Sequence, residues 1–190
     1  MKIGILRIGR ISADVAHRIQ ETLSNTFPET TVSVIEKEVE VPQQAFNETR
    51  RQYRSDMMLT AIRNCAEESP EFDRVLGIVD VDIFVSRLNF VFGEAEHPGK
   101  AAVISLWRLK PEFGHQPPNE EVFEERSAKE ALHEIGHTLG LDHCTNPFCV
   151  MHFSNSILET DVKKTFFCSK CAIRVEMALG NLGKSHEGNI

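Results

Sequence analysis

Hydrophobic residues recur along the chain in patterns typical of strands, separated by patterns typical of helices. The strand-like segments are residues 2–8, 31–36, 74–85, 88–93 and 101–109. The third segment is a near-continuous apolar run, which is typical of a strand buried on both faces of a sheet. Because strands and helices alternate over the first half of the chain, the sequence predicts an α/β (α+β) fold with a mixed, mostly parallel, twisted sheet packed with helices.

Apolar residues spaced three or four apart predict the helices. Ser12 can cap the first helix, and a longer helix is predicted from about Asn47 to Glu67. Asn119 can cap a third helix, which carries the motif described next. A last helix is predicted from about Cys171 to Leu182, followed by a polar tail, Gly183 to Ile190, that is expected to fray.

The third helix contains the motif H-E-x-x-H-x-x-G-x-x-H over residues 133–143. Histidines four residues apart, His133 and His137, lie on one face of a helix. Gly140 can adopt the left-handed conformation that ends a helix, which would turn the chain back and bring His143 in as a third ligand. Three neutral imidazoles leave an open position on zinc for a water, which is typical of a catalytic site.

Glu134 lies beside the first histidine, so its carboxylate can flank the metal without binding it. This placement suits a general base that takes a proton from a metal-activated water. The alternative is a solvated helix face that carries histidine and glutamate by chance. The glycine and third histidine at the expected offsets argue against that alternative.

Four of the five cysteines form two pairs, C-x4-C and C-x2-C, a spacing suited to a tetrahedral structural zinc. Disulfides are the alternative. The N-terminal apolar run is too short for a signal peptide, and no stretch approaches the length of a membrane span, so we expect a cytoplasmic chain with reduced thiols. The fifth cysteine, Cys65, falls on the apolar stripe of a predicted helix and is interpreted as a core residue. The paired cysteines are Cys144, Cys149, Cys168 and Cys171.

Composition limits the remaining possibilities. With 190 residues, 41% of them hydrophobic and 26% charged, the chain is long enough for one well-buried domain. The net charge of −7 argues against nucleic acid as a partner, because phosphate binding needs a basic surface. We expect no membrane partner and a monomer.

The motif, the cysteine directly after it and the downstream cysteine pair together resemble the archaemetzincins, a branch of the metzincin metallopeptidases. Residues 88–95 and 102–109 are also similar to segments of that family. The resemblance implies two zinc ions per chain, one catalytic and one structural. It implies that the catalytic zinc lies on His133, His137 and His143, with Glu134 as general base. It implies that the structural zinc lies on Cys144, Cys149, Cys168 and Cys171.

Further expectations follow from the same resemblance. Met151 would be the methionine of the Met-turn, beneath the histidines. The fold would be the zincin-like metzincin catalytic domain, and residues 101–109 are our candidate for the antiparallel edge strand that lines the cleft. Residues 1–190 would form one catalytic domain. Its N-terminal subdomain would cover about residues 1–140, with the sheet and the active-site helix, and its C-terminal subdomain about residues 141–190.

The sequence therefore predicts a zinc metallopeptidase acting on peptides or small proteins, with aminopeptidase action on short peptides as a narrower expectation. One alternative is a zinc-binding protein of the same fold with little or no hydrolytic activity. Another is a hydrolase of a non-peptide amide. His152, next to Met151, is either a hydrogen-bond donor to a transition-state oxyanion or a plain loop residue.

Overall fold

A mixed five-stranded sheet carries the fold in the computed structural model, which describes residues 1–37 and 39–187, without the side chains of 184–187. The strand order is β2-β1-β5-β8-β7, in which the first four strands are parallel and β7 is antiparallel to β8. These strands are β1 (Lys2–Ile8), β2 (Thr31–Val34), β5 (Arg74–Val79), β7 (Gly93–Ala95) and β8 (Ala101–Ser105). The predicted α/β class and mixed, mostly parallel sheet are confirmed.

Helices cover both faces of this sheet. Helices α1 and α3 pack on one face and α2 packs on the other, so that alternate residues of β5 enter two separate hydrophobic clusters. Cys65 lies in the α2 cluster and is buried, as predicted. The helices are α1 (Ala13–Thr26), α2 (Ser55–Glu68), α3 (Glu120–Thr138), α4 (Ile157–Val162) and α5 (Ser169–Glu187). None of those in the described part of the chain is long and apolar enough to cross a membrane.

The two predicted N-caps are confirmed. The Ser12 side chain accepts a hydrogen bond from the backbone N–H of Asp14, and the Asn119 side chain accepts one from Val122. At the other end of the chain the last helix continues to Glu187. The prediction of a frayed tail is therefore wrong for residues 183–187. Residues 188–190 lie outside the described part.

The helix predicted from Asn47 begins eight residues later, at Ser55. Residues before it form two short antiparallel strands, β3 (Phe46–Asn47) and β4 (Gln52–Arg54), which join β6 (Ile83–Phe84) in a second, three-stranded sheet. The turn between β3 and β4 contains Arg51 with a φ of 54°, a left-handed conformation incompatible with a continuous helix. The apolar run of residues 74–85 is likewise divided between β5 and β6, in different sheets.

The candidate for the antiparallel edge strand, residues 101–109, which was taken from the resemblance, is wrong. Strand β8, in residues 101–109, is parallel to β5 and lies inside the sheet, whereas the antiparallel edge is β7. All five residues of β8 are buried, which is typical of an interior strand, whereas those of β7 are half-buried. A hairpin through residues 96–100 places β7 outside β8, with its outer edge unpaired in the described part of the chain.

Substitution of Gly77 by alanine tests the packing between β5 and α2. A Cβ at this position would lie 2.7 Å from Cγ1 of the fully buried Ile62, so we expect a loss of about 1–3 kcal/mol in the free energy of unfolding. Urea denaturation measures this change in the free energy of unfolding. Gly114→Ala is the control, because a Cβ there would meet nothing within 4 Å. Equal midpoints for the two variants would contradict this description of the packing.

Candidate metal centres and active site

Three histidine side chains meet at the C-terminal end of α3. His133 and His137 lie one turn apart on this helix, and Gly140, with a φ of 85°, turns the chain back toward them. One ring nitrogen each of His133, His137 and His143 lie within 4.8 Å of one another. The structure therefore brings together the three residues that the motif predicts as ligands.

Backbone carbonyl groups fix the orientation of two of these rings. Nδ1 of His133 donates to the Val150 carbonyl at 2.8 Å, and Nδ1 of His137 donates to the Leu141 carbonyl at 2.7 Å. Because a carbonyl oxygen only accepts, the proton of each neutral ring is on Nδ1 and the lone pair is on Nε2. The two Nε2 atoms face each other at 3.1 Å, where their lone pairs would repel without a cation between them. This donor set fits zinc.

The carboxylate of Glu134 is buried beside the histidines. It is 4% exposed, and a Cβ at Gly93 would lie 2.6 Å from its Cγ, so only glycine at that position of β7 leaves room for it. Burial raises the pKa of Glu134 well above its usual value, and the neighbouring Glu130 raises it further. A glycine within a strand-like segment is a weak sequence signal for this role of Gly93.

Burial acts on the histidines in the opposite sense. It lowers the pKa of His137 to about 4 and is also the main reason why the pKa values of His133 and His143 are lowered. All three imidazoles are therefore neutral near pH 7. Neutrality is the state in which an imidazole binds a metal ion.

Met151 lies beneath the histidine-bearing turn of α3. It is fully buried, and its Cε would lie 3.1 Å from a Cβ at Gly136, the residue before His137. A glycine at this position allows the methionine to approach the helix closely. That Met151 forms a hydrophobic floor beneath the three histidines stays a prediction.

Four cysteines form a second cluster directly after the histidine motif. The sulfur atoms of Cys144, Cys149, Cys168 and Cys171 lie within 4.8 Å of one another, and all five cysteines of the chain are free. The Sγ atoms of Cys144 and Cys168 are 3.7 Å apart. Two thiolates bound tetrahedrally to zinc at about 2.3 Å would be separated by about 3.8 Å. The cluster therefore fits a zinc ion better than disulfides.

The thiols differ in acidity. Hydrogen bonding from the backbone N–H of Cys171 is the main reason why the pKa of Cys168 falls to about 7. Burial raises the pKa of Cys149 and that of Cys171. A bound cation would offset that penalty by stabilising the thiolates.

Backbone contacts connect the two clusters. Cys144 follows His143, and its N–H donates to the Met151 carbonyl at 2.8 Å. Nδ1 of His152 donates to the Cys144 carbonyl, also at 2.8 Å. His152 is not among the cavity-lining residues, and its contact stabilises the loop that carries His143.

His97 is a site residue that the sequence did not reveal. It lies beyond β7, and its Nε2 donates to the Leu141 carbonyl at 3.0 Å, the same oxygen that accepts from His137. Its ring centroid is 5.5 Å from that of His137. No spacing relates residue 97 to the motif, so only the folded chain shows this contact.

A cavity of about 680 Å³ opens over the histidines and Glu134. It is lined by the chain through β7, by residues of α3 and by residues 153–155. His97 and Asp142 line one end, hereafter the His97 end. Glu130, one turn before Glu134, and Lys163 line the other, hereafter the Lys163 end.

Comparison with known proteins identifies the family to which the chain belongs. A model of peptidase family M54 matches residues 5–177. The archaemetzincin of Methanocaldococcus jannaschii is 41% identical over 176 residues, which cover 93% of each chain. The chain belongs to the archaemetzincin family. It is therefore a zinc metallopeptidase.

Solved structures agree with this assignment. The crystal structure of the Methanopyrus kandleri archaemetzincin superposes with a TM-score of 0.83, at 37% identity, and covers 95% of this chain and 96% of that one. A zinc-dependent peptidase from Methanocorpusculum labreanum has a TM-score of 0.82 at 27% identity, covering 91% of this chain and 99% of that one. The expected archaemetzincin fold is confirmed.

Cys144→Ser tests the connection between the two clusters of this archaemetzincin. Loss of one thiolate should loosen the loop that carries His143, so we expect zinc affinity at the histidines to fall about tenfold or more. Competition with a chromogenic chelator measures this affinity. Cys65→Ser is the matched control, because Cys65 is a buried cysteine outside both clusters. Unchanged affinity in Cys144→Ser would show that the clusters are independent.

Proposed function

We propose that this chain hydrolyses peptide bonds with a zinc ion held by His133, His137 and His143. The observation that carries the proposal is the pair of Nε2 atoms facing each other at 3.1 Å, with both rings fixed through Nδ1 by backbone carbonyls. Such second contacts orient imidazole ligands in metal sites. The open cavity above them leaves space for water and substrate.

The roles of the surrounding residues follow from their positions. Zinc bound at the histidines would polarise a substrate carbonyl and lower the pKa of a water to about 7. Glu134, with its pKa raised by burial, would accept a proton from that water and deliver it to the leaving amine. The outer edge of β7, which pairs with no strand of the described residues, would hold an extended peptide through main-chain hydrogen bonds.

A second, structural zinc on Cys144, Cys149, Cys168 and Cys171 is part of the proposal, giving two ions per chain. Its support is the mutual distance of the sulfur atoms and the chemistry of four thiolates, which favour a closed tetrahedral site. The ion would hold the loop after α3.

We propose peptides or small proteins as substrates, in a single catalytic domain divided near residue 140. A cytoplasmic location and a monomeric state stay predictions.

Aminopeptidase action on short peptides is the narrower proposal. A substrate strand antiparallel to β7 would run from the His97 end of the cavity toward the Lys163 end, because β7 runs the opposite way. Its amino-terminal part would then lie near Asp142, whose carboxylate could pair with a free ammonium group.

Substitution of Glu134 by glutamine tests the peptidase proposal. Because the amide cannot accept the proton, hydrolysis of a peptide library should fall by about 100-fold or more, while zinc content stays unchanged. Mass spectrometry of the products and elemental analysis measure the two quantities. Glu121→Gln, an exposed glutamate at the start of the same helix, is the control and should keep full activity.

Two results would contradict peptide hydrolysis. Wild-type protein that holds zinc at the histidines but cleaves no peptide would favour a zinc-binding protein with little or no hydrolytic activity. Cleavage of small amides or esters alone, abolished in Glu134→Gln, would favour a hydrolase of non-peptide substrates.

Blocking the substrate amino terminus tests the aminopeptidase proposal. Acetylated peptides should be cleaved at least about tenfold more slowly than free ones, and Asp142→Asn should reduce this difference, because the ion pair with the ammonium is lost. Time courses on paired peptides measure the ratio. Equal rates for free and acetylated peptides would indicate endopeptidase action instead.

A further inference from the structure

The Lys163 end of the cavity contains a buried ion pair that the proposed mechanism does not use. Nζ of Lys163 is 2.9 Å from Oε1 of Glu130, and the two side chains are 1% and 4% exposed. Burying two charges costs free energy, and hydrophobic residues of similar size are often neutral or stabilising at such a position. The pair lines the cavity beside the histidines, which is where a substrate side chain would lie.

The hydrogen-bonding capacity of the pair is only partly used. Within the described part of the chain, Lys163 Nζ donates to Glu130 Oε1 alone, and this oxygen also accepts from Thr160 at 3.5 Å. Glu130 Oε2 has no hydrogen-bond partner among the same residues. An ammonium group has three donors, so the pair leaves donors on Lys163 and an acceptor on Glu130 for a ligand.

Charge decides which side chain fits this arrangement. A carboxylate would meet Lys163 but would be repelled by Glu130 and by the nearby Glu134, and an ammonium would be repelled by Lys163. An aliphatic side chain would displace water from the ion pair and would leave its remaining donors and its free acceptor without a partner. A primary amide has an oxygen for Lys163 and an N–H₂ group for Glu130 without a net charge.

The direction of β7 indicates which substrate residue would carry the primary amide. Strand β7 leads from Gly93, beside Glu134, toward His97, beside His137, so a peptide antiparallel to it would run toward the Lys163 end. The residue after the scissile bond would then lie on the side of Glu130 and Lys163. We propose that Lys163 and Glu130 form a specificity subsite that selects glutamine or asparagine directly after the scissile bond. This proposal rests on the proposed function.

Binding of four matched peptides tests the subsite. The peptides differ only after the intended scissile bond, where they carry glutamine, glutamate, lysine or methionine, which are similar in length. Dissociation constants are measured by calorimetry on zinc-loaded Glu134→Gln protein, in which turnover is suppressed. The glutamine peptide should bind about tenfold more tightly than the methionine peptide, because methionine offers no hydrogen-bonding group to the unused donors of Lys163 or to Oε2 of Glu130.

Replacing the pair should reverse this order. In Glu130→Met/Lys163→Met, made in the Glu134→Gln background, the methionine peptide should bind more tightly than the glutamine peptide. Lys129→Met is the matched control. Like Lys163, Lys129 is a buried lysine in an ion pair, with its side chain 3% exposed, but its partner is Glu125 and it does not line the cavity. The control should keep the glutamine preference.

A second variant keeps the test decisive if the double variant does not fold. Glu130→Gln preserves side-chain size but leaves Lys163 without its counter-charge, so the preference should move from glutamine to glutamate. In the Glu134→Gln background, selectivity that is the same with Glu130→Gln, with Lys129→Met and with neither would overturn the subsite.

The outcomes separate the two proposals. Glutamine-selective binding without any hydrolysis by wild type would support the subsite and contradict the peptidase proposal. Hydrolysis with no preference at this position, or with a preference for methionine, would overturn the subsite and leave the peptidase proposal standing. Failure of all four peptides to bind would overturn the subsite.

Discussion

Two hydrogen bonds to backbone carbonyls hold the imidazoles on which the rest of the site depends. His133 is fixed by the Val150 carbonyl and His137 by the Leu141 carbonyl, both in the segment that follows α3. A helix alone places these histidines on one face, but their rings could still rotate. Because the carbonyls accept from Nδ1, each ring carries its proton there, and both Nε2 atoms face the same point. The site is therefore produced jointly by α3 and by the chain that returns beneath it.

The returning chain also carries the cysteine cluster. Cys144 follows His143 directly, and its backbone contacts Met151 and His152. The third histidine is thus attached to the cluster that would hold the structural ion. In the proposal, a zinc ion bound by the cysteines would hold in place the loop that supplies the third histidine.

Residues close together in the sequence could be predicted, and residues brought together only by folding could not. The three histidines and Glu134 follow from helix periodicity and one glycine, and the two cysteines of each pair follow from their short spacing. Gly93, His97 and Lys163 reach the site from distant segments, and no local spacing marks them. The edge strand was misassigned because two short strands joined by a hairpin look alike when burial is unknown, and β7 has only three residues.

Anomalous diffraction at the zinc absorption edge, on crystals of protein prepared with zinc, tests the central claim most directly. Two peaks per chain are expected, one between the rings of His133, His137 and His143 and one among the four cysteine sulfur atoms. A peak at the cysteines with none at the histidines, in zinc-saturated crystals, would contradict the account of the catalytic site.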